Sequence, residues 1–246
     1  MDTSLAPLMK PILARTPVAT IDEVLARLDE IAAALPAGDG VAAFAKLYGA
    51  VTAQVRGAVG GGGAAGPFQD PAWLARLDVV FANLFFDALG AFCTNDARTP
   101  RAWWPLFSLR SNPAIAPLQF AFAGVNAHIN RDLPVALVST CREMNRPLAK
   151  PTPEHADYVA VNPILTAVEQ KIKADYLGGA LAAADHLAGK LDDRLASWSL
   201  IEARAAAWTH GEALWALRGL PGLAAAFLDS LDGLVGFAGR GLLLPL

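Results

Sequence analysis

The stretch Leu118-Gln-Phe-Ala-Phe-Ala-Gly-Val-Asn-Ala-His-Ile-Asn-Arg-Asp-Leu-Pro134 decides the fold. At about 100° per residue, a helix here carries His128 on one face with Ala121, Gly124, Val125 and Asp132. Gln119, Phe122, Asn126, Asn130 and Leu133 take the other face. Arg131 and Asp132 are its only charges, and a helix that is apolar nearly all round belongs in an interior. The segment from Ala114 to about Met144 is therefore expected to run through the centre of a helical domain, kinked or broken at Pro134. Its polar side chains need partners inside. The small residues beside His128 either let a neighbouring helix approach closely or leave room for a ligand.

Working outward, capping residues followed by Pro or an acid mark the starts of further helices. Thr20-Ile21-Asp22-Glu23 has the form of a capping box and predicts a helix to about Leu35. Asp39 opens a second to about Arg56, before Gly57–Gly66, a glycine-rich run expected to be a mobile loop. No Gly-Lys-Ser/Thr follows it and no strand precedes it, so it does not read as a phosphate loop. Asp70-Pro71 opens a third helix, with Leu77, Phe81, Leu84 and Ala88 at helical spacing. Thr99-Pro100 is expected to open a short helix holding Trp103 and Trp104, and Thr152-Pro153 one reaching about Tyr176. Gly178-Gly179 would separate that helix from another through Leu181, Leu187, Leu191, Leu195 and Trp198. Ala/Leu helices punctuated by Gly211, Gly219-Leu220-Pro221-Gly222 and Gly233 complete the chain. With no useful β-type alternation, repeat or linker, residues 1–246 read as one all-α domain, a bundle of about eight to ten helices around a buried central one.

Composition agrees with that reading. The 246 residues are 54% hydrophobic and 17% charged, with much Ala and Leu, so the chain can build a large core and is not intrinsically disordered. A membrane span needs roughly 20 apolar residues in a row. The most apolar run, Leu220–Leu228, is closed by Asp229 and Asp232, so no membrane span is expected. Twenty basic against 23 acidic residues leave no footprint for nucleic acid. The N-terminus has an early Asp and two prolines where a secretory signal needs a basic start and an apolar run, and the expected location is the cytoplasm. Cys93 and Cys141 lack metal or redox spacing and read as reduced thiols.

The chemistry is sought where polar groups interrupt apolar helices. Arg76, Asn83 and Asp87 form a stripe on the third helix, and if that helix neighbours the central one, Asp87 or Asn83 can hold a nitrogen of His128. An imidazole beside a carboxylate in an apolar cavity is suited to general acid/base work. The expected catalytic set is His128 as acid/base, Asp132 to orient it and Asp87 as second acid/base or partner. Asn83, Asn126 and Asn130 would position a substrate oxygen, and Trp103 and Phe86 would line the pocket. The plainer alternative makes these groups a satisfied internal network that fixes helix register. A metal reading takes His128 and Asp132 at i, i+4 with Asp87 as third ligand, but His155, His186 and His210 lack partners at ligand spacing, and no metal or cofactor is assigned. Asp192-Asp193 lacks the further acid of a diphosphate-binding motif and reads as a solvated face.

Three blocks also carry a family resemblance: Phe81-Ala-Asn-Leu-Phe-Phe-Asp-Ala-Leu89, Pro100-Arg-Ala-Trp103 and Asn126-Ala-His-Ile-Asn-Arg-Asp-Leu-Pro134, followed by Tyr158-Val-Ala-Val-Asn162. With them the chain resembles an actinobacterial family known only as domain of unknown function 5995, over roughly residues 75–165. The resemblance implies an all-α soluble protein whose polar signature falls on Asn83, Asp87, Asn126, His128, Asn130 and Asp132, and it implies no activity. The residues themselves lead to an enzyme using general acid/base chemistry on a largely apolar small molecule, polyketide-like or isoprenoid, by cyclisation, isomerisation or hydrolysis. The rivals are a helical binding protein for a lipophilic ligand and a metal-dependent helical hydrolase. Oligomeric state is not readable from the sequence.

Overall fold

Capping chemistry sets most helix starts in the computed structural model, which describes residues 5–60, 68–168, 170 and 199–245. A first helix, α1 (Leu5–Leu13), precedes α2 (Ile21–Ala34). Thr20 Oγ1 accepts the Glu23 N–H (3.2 Å) at the start of α2, while the Glu23 carboxylate reaches one residue further back, to the Ala19 N–H (2.6 Å). Asp39 caps α3 (Gly40–Gly60), accepting the Val41 N–H at 2.8 Å, and its other oxygen pairs with buried Arg110. Asp70 caps α4 (Pro71–Cys93) through the Trp73 N–H at 3.0 Å. After α5 (Trp104–Leu109) come α6 (Pro117–Ala127), a π-helical turn (His128–Asp132) and α7 (Leu133–Glu143). Thr152 caps α8 (Pro153–Ala160), and residues 162–168 are again helical. The last helices are α9 (Leu200–Ala216) and α10 (Pro221–Leu242).

The architecture is an all-α bundle with α6 at its centre, between α3 on one side and α10 on the other. Every residue of α6 from Leu118 to Ala127 is buried, as the scarcity of charge on its faces requires. Gly124 lets the two helices meet: a Cβ there would lie 2.3 Å from the Phe44 ring of α3. On that part of the His128 face the small residue therefore serves close packing rather than a ligand. On the other side Gly236 of α10 lies against the chain at Arg101, where a Cβ would stand 2.6 Å from the carbonyl oxygen.

Pro134 neither breaks nor sharply ends the central segment. The Leu133 N–H reaches back five residues to the His128 carbonyl, so one residue is taken up in a wider turn and Pro134, which has no N–H to give, falls in the first turn of α7.

Four other expectations about helix ends are corrected. Gly57–Gly60 are helical and end α3, where Val55 is buried and Val59 packs on the core; this burial offsets a glycine cost of about 1 kcal/mol per residue. Residues 61–66 of the expected loop lie outside the described residues. Thr99 does not open a helix, because its hydroxyl donates to the Asp96 carbonyl (2.8 Å), and α5 begins only at Trp104. Gly211 and Gly233 sit inside α9 and α10. A Cβ on Gly211 would lie 3.3 Å from Leu137 and Leu148, so this glycine is a packing position rather than a stop. The helix from Thr152 pauses after Ala160, and the helix expected through Leu181–Trp198, with Asp192-Asp193, lies outside the described residues.

By length and composition α10 could cross a membrane, and 28% of its most apolar 18-residue window is buried against the rest of the bundle. Leu231, Val235, Gly236 and Gly239 make its inner face, whereas Leu234 and Phe237 are exposed. Asp232 fixes it by accepting the N–H groups of Arg101 (2.7 Å) and Ala102 (3.1 Å).

Candidate functional site

The π turn places its first and last residues, His128 and Asp132, beside each other in the interior. Asp132 is fully buried. Its Oδ2 accepts the indole N–H of Trp103 (2.9 Å) and faces His128 Nδ1 at 3.2 Å, and its Oδ1 accepts from Arg131 Nη1 at 2.8 Å. Arg131 in turn lies 3.6 Å from Asp232, so the chain of charges runs from α10 into the centre of the bundle. A carboxylate oxygen can only accept, so the proton between Asp132 and His128 sits on Nδ1 and the lone pair on Nε2. Nε2 is buried with no hydrogen-bond partner among the described residues. Burial lowers the pKa of His128, outweighing the raising effect of Asp132, and the imidazole is neutral near pH 7.

Aromatic rings fix the imidazole plane. Phe81 of α4 stacks on it at 3.4 Å between centroids and 7° between planes, and Tyr48 and Phe44 of α3 meet it edge-on at 4.7 and 5.7 Å. The ring forms part of the wall of a cavity of about 120 Å³ between α3, α4, α6, the 161–168 segment and α9. Leu77, Val125, Ile129, Leu165 and Leu200 make much of the lining, and the polar points on it are Tyr48, Asp78, His128 and Arg204.

Tyr48, Asp78 and Arg204 on this lining are not among the residues expected from the sequence, and Asp78 is the acid of the three. It occupies α4 one position after Leu77 and three before Phe81, on the face that lines the cavity. One of its oxygens, Oδ2, is buried without a hydrogen-bond partner among the described residues, and burial pushes its carboxyl up to about 7. Tyr48 is near both His128 and Asp78: its ring meets His128, and its phenol is held well above the usual range by burial first, then by the charges of Asp78 and Asp132, eased by Thr52. A signal was present in the sequence. Asp78 is a lone acid inside the apolar i, i+3, i+4, i+7 stripe Leu74, Leu77, Asp78, Phe81, where an unpaired carboxylate is costly.

The remaining expected site residues are dispersed. Asn83 does not reach His128: its amide clamps the backbone of Val18, accepting the N–H at 2.9 Å and donating to the carbonyl at 2.9 Å. Asp87 is on the outer side of α4, bordering a surface hollow with Arg131 and Phe86; partial burial and then the charge of Asp132 raise its pKa. Asn126 donates to the Val235 carbonyl of α10 (3.0 Å), and Asn130 donates to Asn126 Oδ1 (3.0 Å), so both belong to the seam with α10 and neither lines the cavity. Trp103 acts through Asp132, and the ring at the cavity is Phe81, not Phe86. The metal set His128, Asp132 and Asp87 is not assembled, and among the described residues no three His, Cys, Asp or Glu side chains converge on one point. Cys93 and Cys141 are free thiols, each pushed up to about 11 by burial.

A family model described as a family of unknown function, DUF5995, matches residues 21–245. The chain belongs to that family. No curated protein and no solved structure matches it. The family match extends well beyond the resemblance at residues 75–165 and includes the Asp78, His128 and Arg204 positions of the cavity.

Proposed function

We propose that this DUF5995 protein is an enzyme that moves a proton on a largely apolar small molecule held in the cavity, an isomerisation or cyclisation, with His128 as general base and Asp78 as general acid. The observation that carries the reading is a pair of oppositely shifted groups, unpartnered among the described residues, that line one apolar cavity: a neutral imidazole with a free Nε2 lone pair, and a carboxyl that keeps its proton up to about pH 7. In the forward step His128 Nε2 takes a proton from the substrate and Asp78 returns one at a second atom, leaving imidazolium and carboxylate; Asp132, already on Nδ1, stabilises the cation. Product release and proton exchange with solvent restore the starting states. Tyr48 and Phe81 hold the imidazole plane during the transfer.

The test begins with mass spectrometry of small molecules that copurify with the protein, followed by their exchange or conversion in deuterium oxide. Replacing His128 with Ala is expected to lower the rate roughly 10²–10⁴-fold with the fold retained. Unchanged turnover per folded molecule would remove His128 as base. A ligand that binds in the cavity and is released unaltered by the native protein would leave the second reading, a binding protein for lipophilic molecules that uses the same unpaired groups as anchors.

A further inference from the structure

Arg204 on α9 is only 8% exposed. Its Nε donates to Asn162 Oδ1 (2.9 Å), its Nη2 donates to the Tyr158 carbonyl (2.7 Å), and its guanidinium carbon lies 3.9 Å above the Tyr158 ring. Tyr158 is itself pinned, its hydroxyl donating to the Arg204 carbonyl at 2.8 Å. All these partners are neutral: they aim the guanidinium and leave its charge uncompensated. Among the described residues no Asp or Glu forms an ion pair with Arg204, and Nη1 takes part in neither of those two bonds. A buried guanidinium cannot shed its proton to escape the cost of desolvation, so a buried arginine without an anion is incomplete. Arg204 lines the same cavity as His128 and Asp78.

We infer that the ligand of this cavity is a monocarboxylic acid with a short apolar body, its carboxylate held by Arg204. This deepens the proton-transfer reading and rests on it for the direction in which the molecule lies, with the apolar body toward His128. The planar guanidinium offers parallel N–H groups that match a carboxylate. A phosphate dianion would call for further cationic donors, and Arg204 is the only cationic side chain on the cavity lining among the described residues. The size is set by the volume: a cavity of about 150 Å³ takes up benzene, and the about 120 Å³ here suits one ring or a short chain.

Calorimetric titration of the full chain with benzoate against benzamide, and hexanoate against hexanamide, tests the anchor without any variant. The acids are expected to bind roughly ten-fold or more tightly than the amides. Arg204→Gln should erase that preference and Arg204→Lys should keep part of it. Leu165→Trp, which fills the cavity from the 161–168 segment, should weaken all four compounds, and it serves if the arginine variants do not fold. Equal binding of acids and amides, binding of neither, or binding indifferent to Leu165→Trp would overturn the inference. His128→Ala separates this from the reaction. Preserved acid selectivity without any effect of His128→Ala on turnover keeps the anchor and removes the base; turnover of a neutral compound with no preference for acids keeps the base and removes the anchor.

Discussion

On the side of the central helix that faces α10, side-chain amides are satisfied within the fold: Gln119 donates to the carbonyls of Leu242 (2.8 Å) and Leu244 (2.9 Å), Asn126 to that of Val235, and Asn130 to the Asn126 side-chain oxygen. On the side that faces α3, α4 and α9, Asp78 Oδ2 and His128 Nε2 have no hydrogen-bond partner and Arg204 has no carboxylate in ion-pair distance among the described residues. Both sides are buried, so burial alone does not distinguish them. The difference is where unpaired groups gather: on the first side even Arg131 Nε, which makes no hydrogen bond among the described residues, lies 3.6 Å from the Asp232 carboxylate, whereas on the second side such groups line a cavity. A satisfied network fixes helix register and can be explained by the fold alone; a cluster of unsatisfied groups around a cavity has a cost that a bound molecule can relieve. Asp132 stands at the border, joined to the first side through Arg131 and to the second through His128.

That border is where a single substitution does the most damage. Asp132→Ala is expected to cost about 3–5 kcal/mol, because it strands the Trp103 indole N–H, His128 Nδ1 and the Arg131 guanidinium together. Asp132→Asn, which keeps one acceptor, should cost less than half as much. Denaturant unfolding of both variants measures the gap; similar small losses would show that the Asp132 cluster does not hold the bundle.

Next in size is a change on the cavity side, where removing charge should help. The Asp78 carboxyl, raised from 3.8 to about 7, binds its proton more tightly folded than unfolded. Its influence therefore favours folding below about pH 4, declines as pH rises through that window, and is lost above about pH 7. Asp78→Asn should consequently be close to neutral near pH 4 and stabilising at pH 8, on the order of 2 kcal/mol. His128 pulls the other way. Its lowered pKa means the unfolded chain takes up the proton first, so stability falls as pH drops below the ordinary value of 6.5. Melting temperatures of the native protein, Asp78→Asn and His128→Gln from pH 4 to 8 resolve the two opposite slopes, and an Asp78→Asn difference that does not grow with pH would contradict the burial of that carboxyl.

How far the sequence showed this division depends on the kind of signal. The caps Thr20, Asp39, Asp70 and Thr152 were legible because a cap is a local event, decided within four residues. The central helix was legible from its lack of charge, and the His128–Asp132 pair from its i, i+4 spacing. The π turn was not, since the fifth-residue hydrogen bond answers Pro134 and the packing on both sides of it at once. Which acid on α4 faces the cavity was also hidden: Asp78, Asn83 and Asp87 spread around one helix, and only the rotation of α4 against α3 and the π turn selects Asp78. Arg204 lies 76 positions from His128, and nothing local to either residue shows that they share a wall.

Asn83 is a satisfied amide away from both sides. As a clamp on Val18 it should cost about 1–2 kcal/mol when replaced by Ala, since the N–H and the carbonyl of Val18 both lose their partner. Binding of benzoate or of any copurified ligand should stay unchanged. A ligand affinity that falls while stability holds would return Asn83 to the site.

The smallest expected effect concerns Tyr48. Its hydroxyl is buried without a hydrogen bond of good geometry, so Tyr48→Phe removes a polar atom that gains little from the fold and keeps the ring against His128 and Phe81. Deleting a poorly satisfied buried hydroxyl is close to neutral, within about 0.5 kcal/mol, where a satisfied one would cost about 1 kcal/mol or more. The same variant reads the chemistry. If the phenol only holds the imidazole plane, turnover and its pH profile survive the loss of the oxygen. If it relays a proton between Asp78 and His128, the rate falls while the melting temperature stays, and the path from base to acid runs through Tyr48 instead of through the substrate alone.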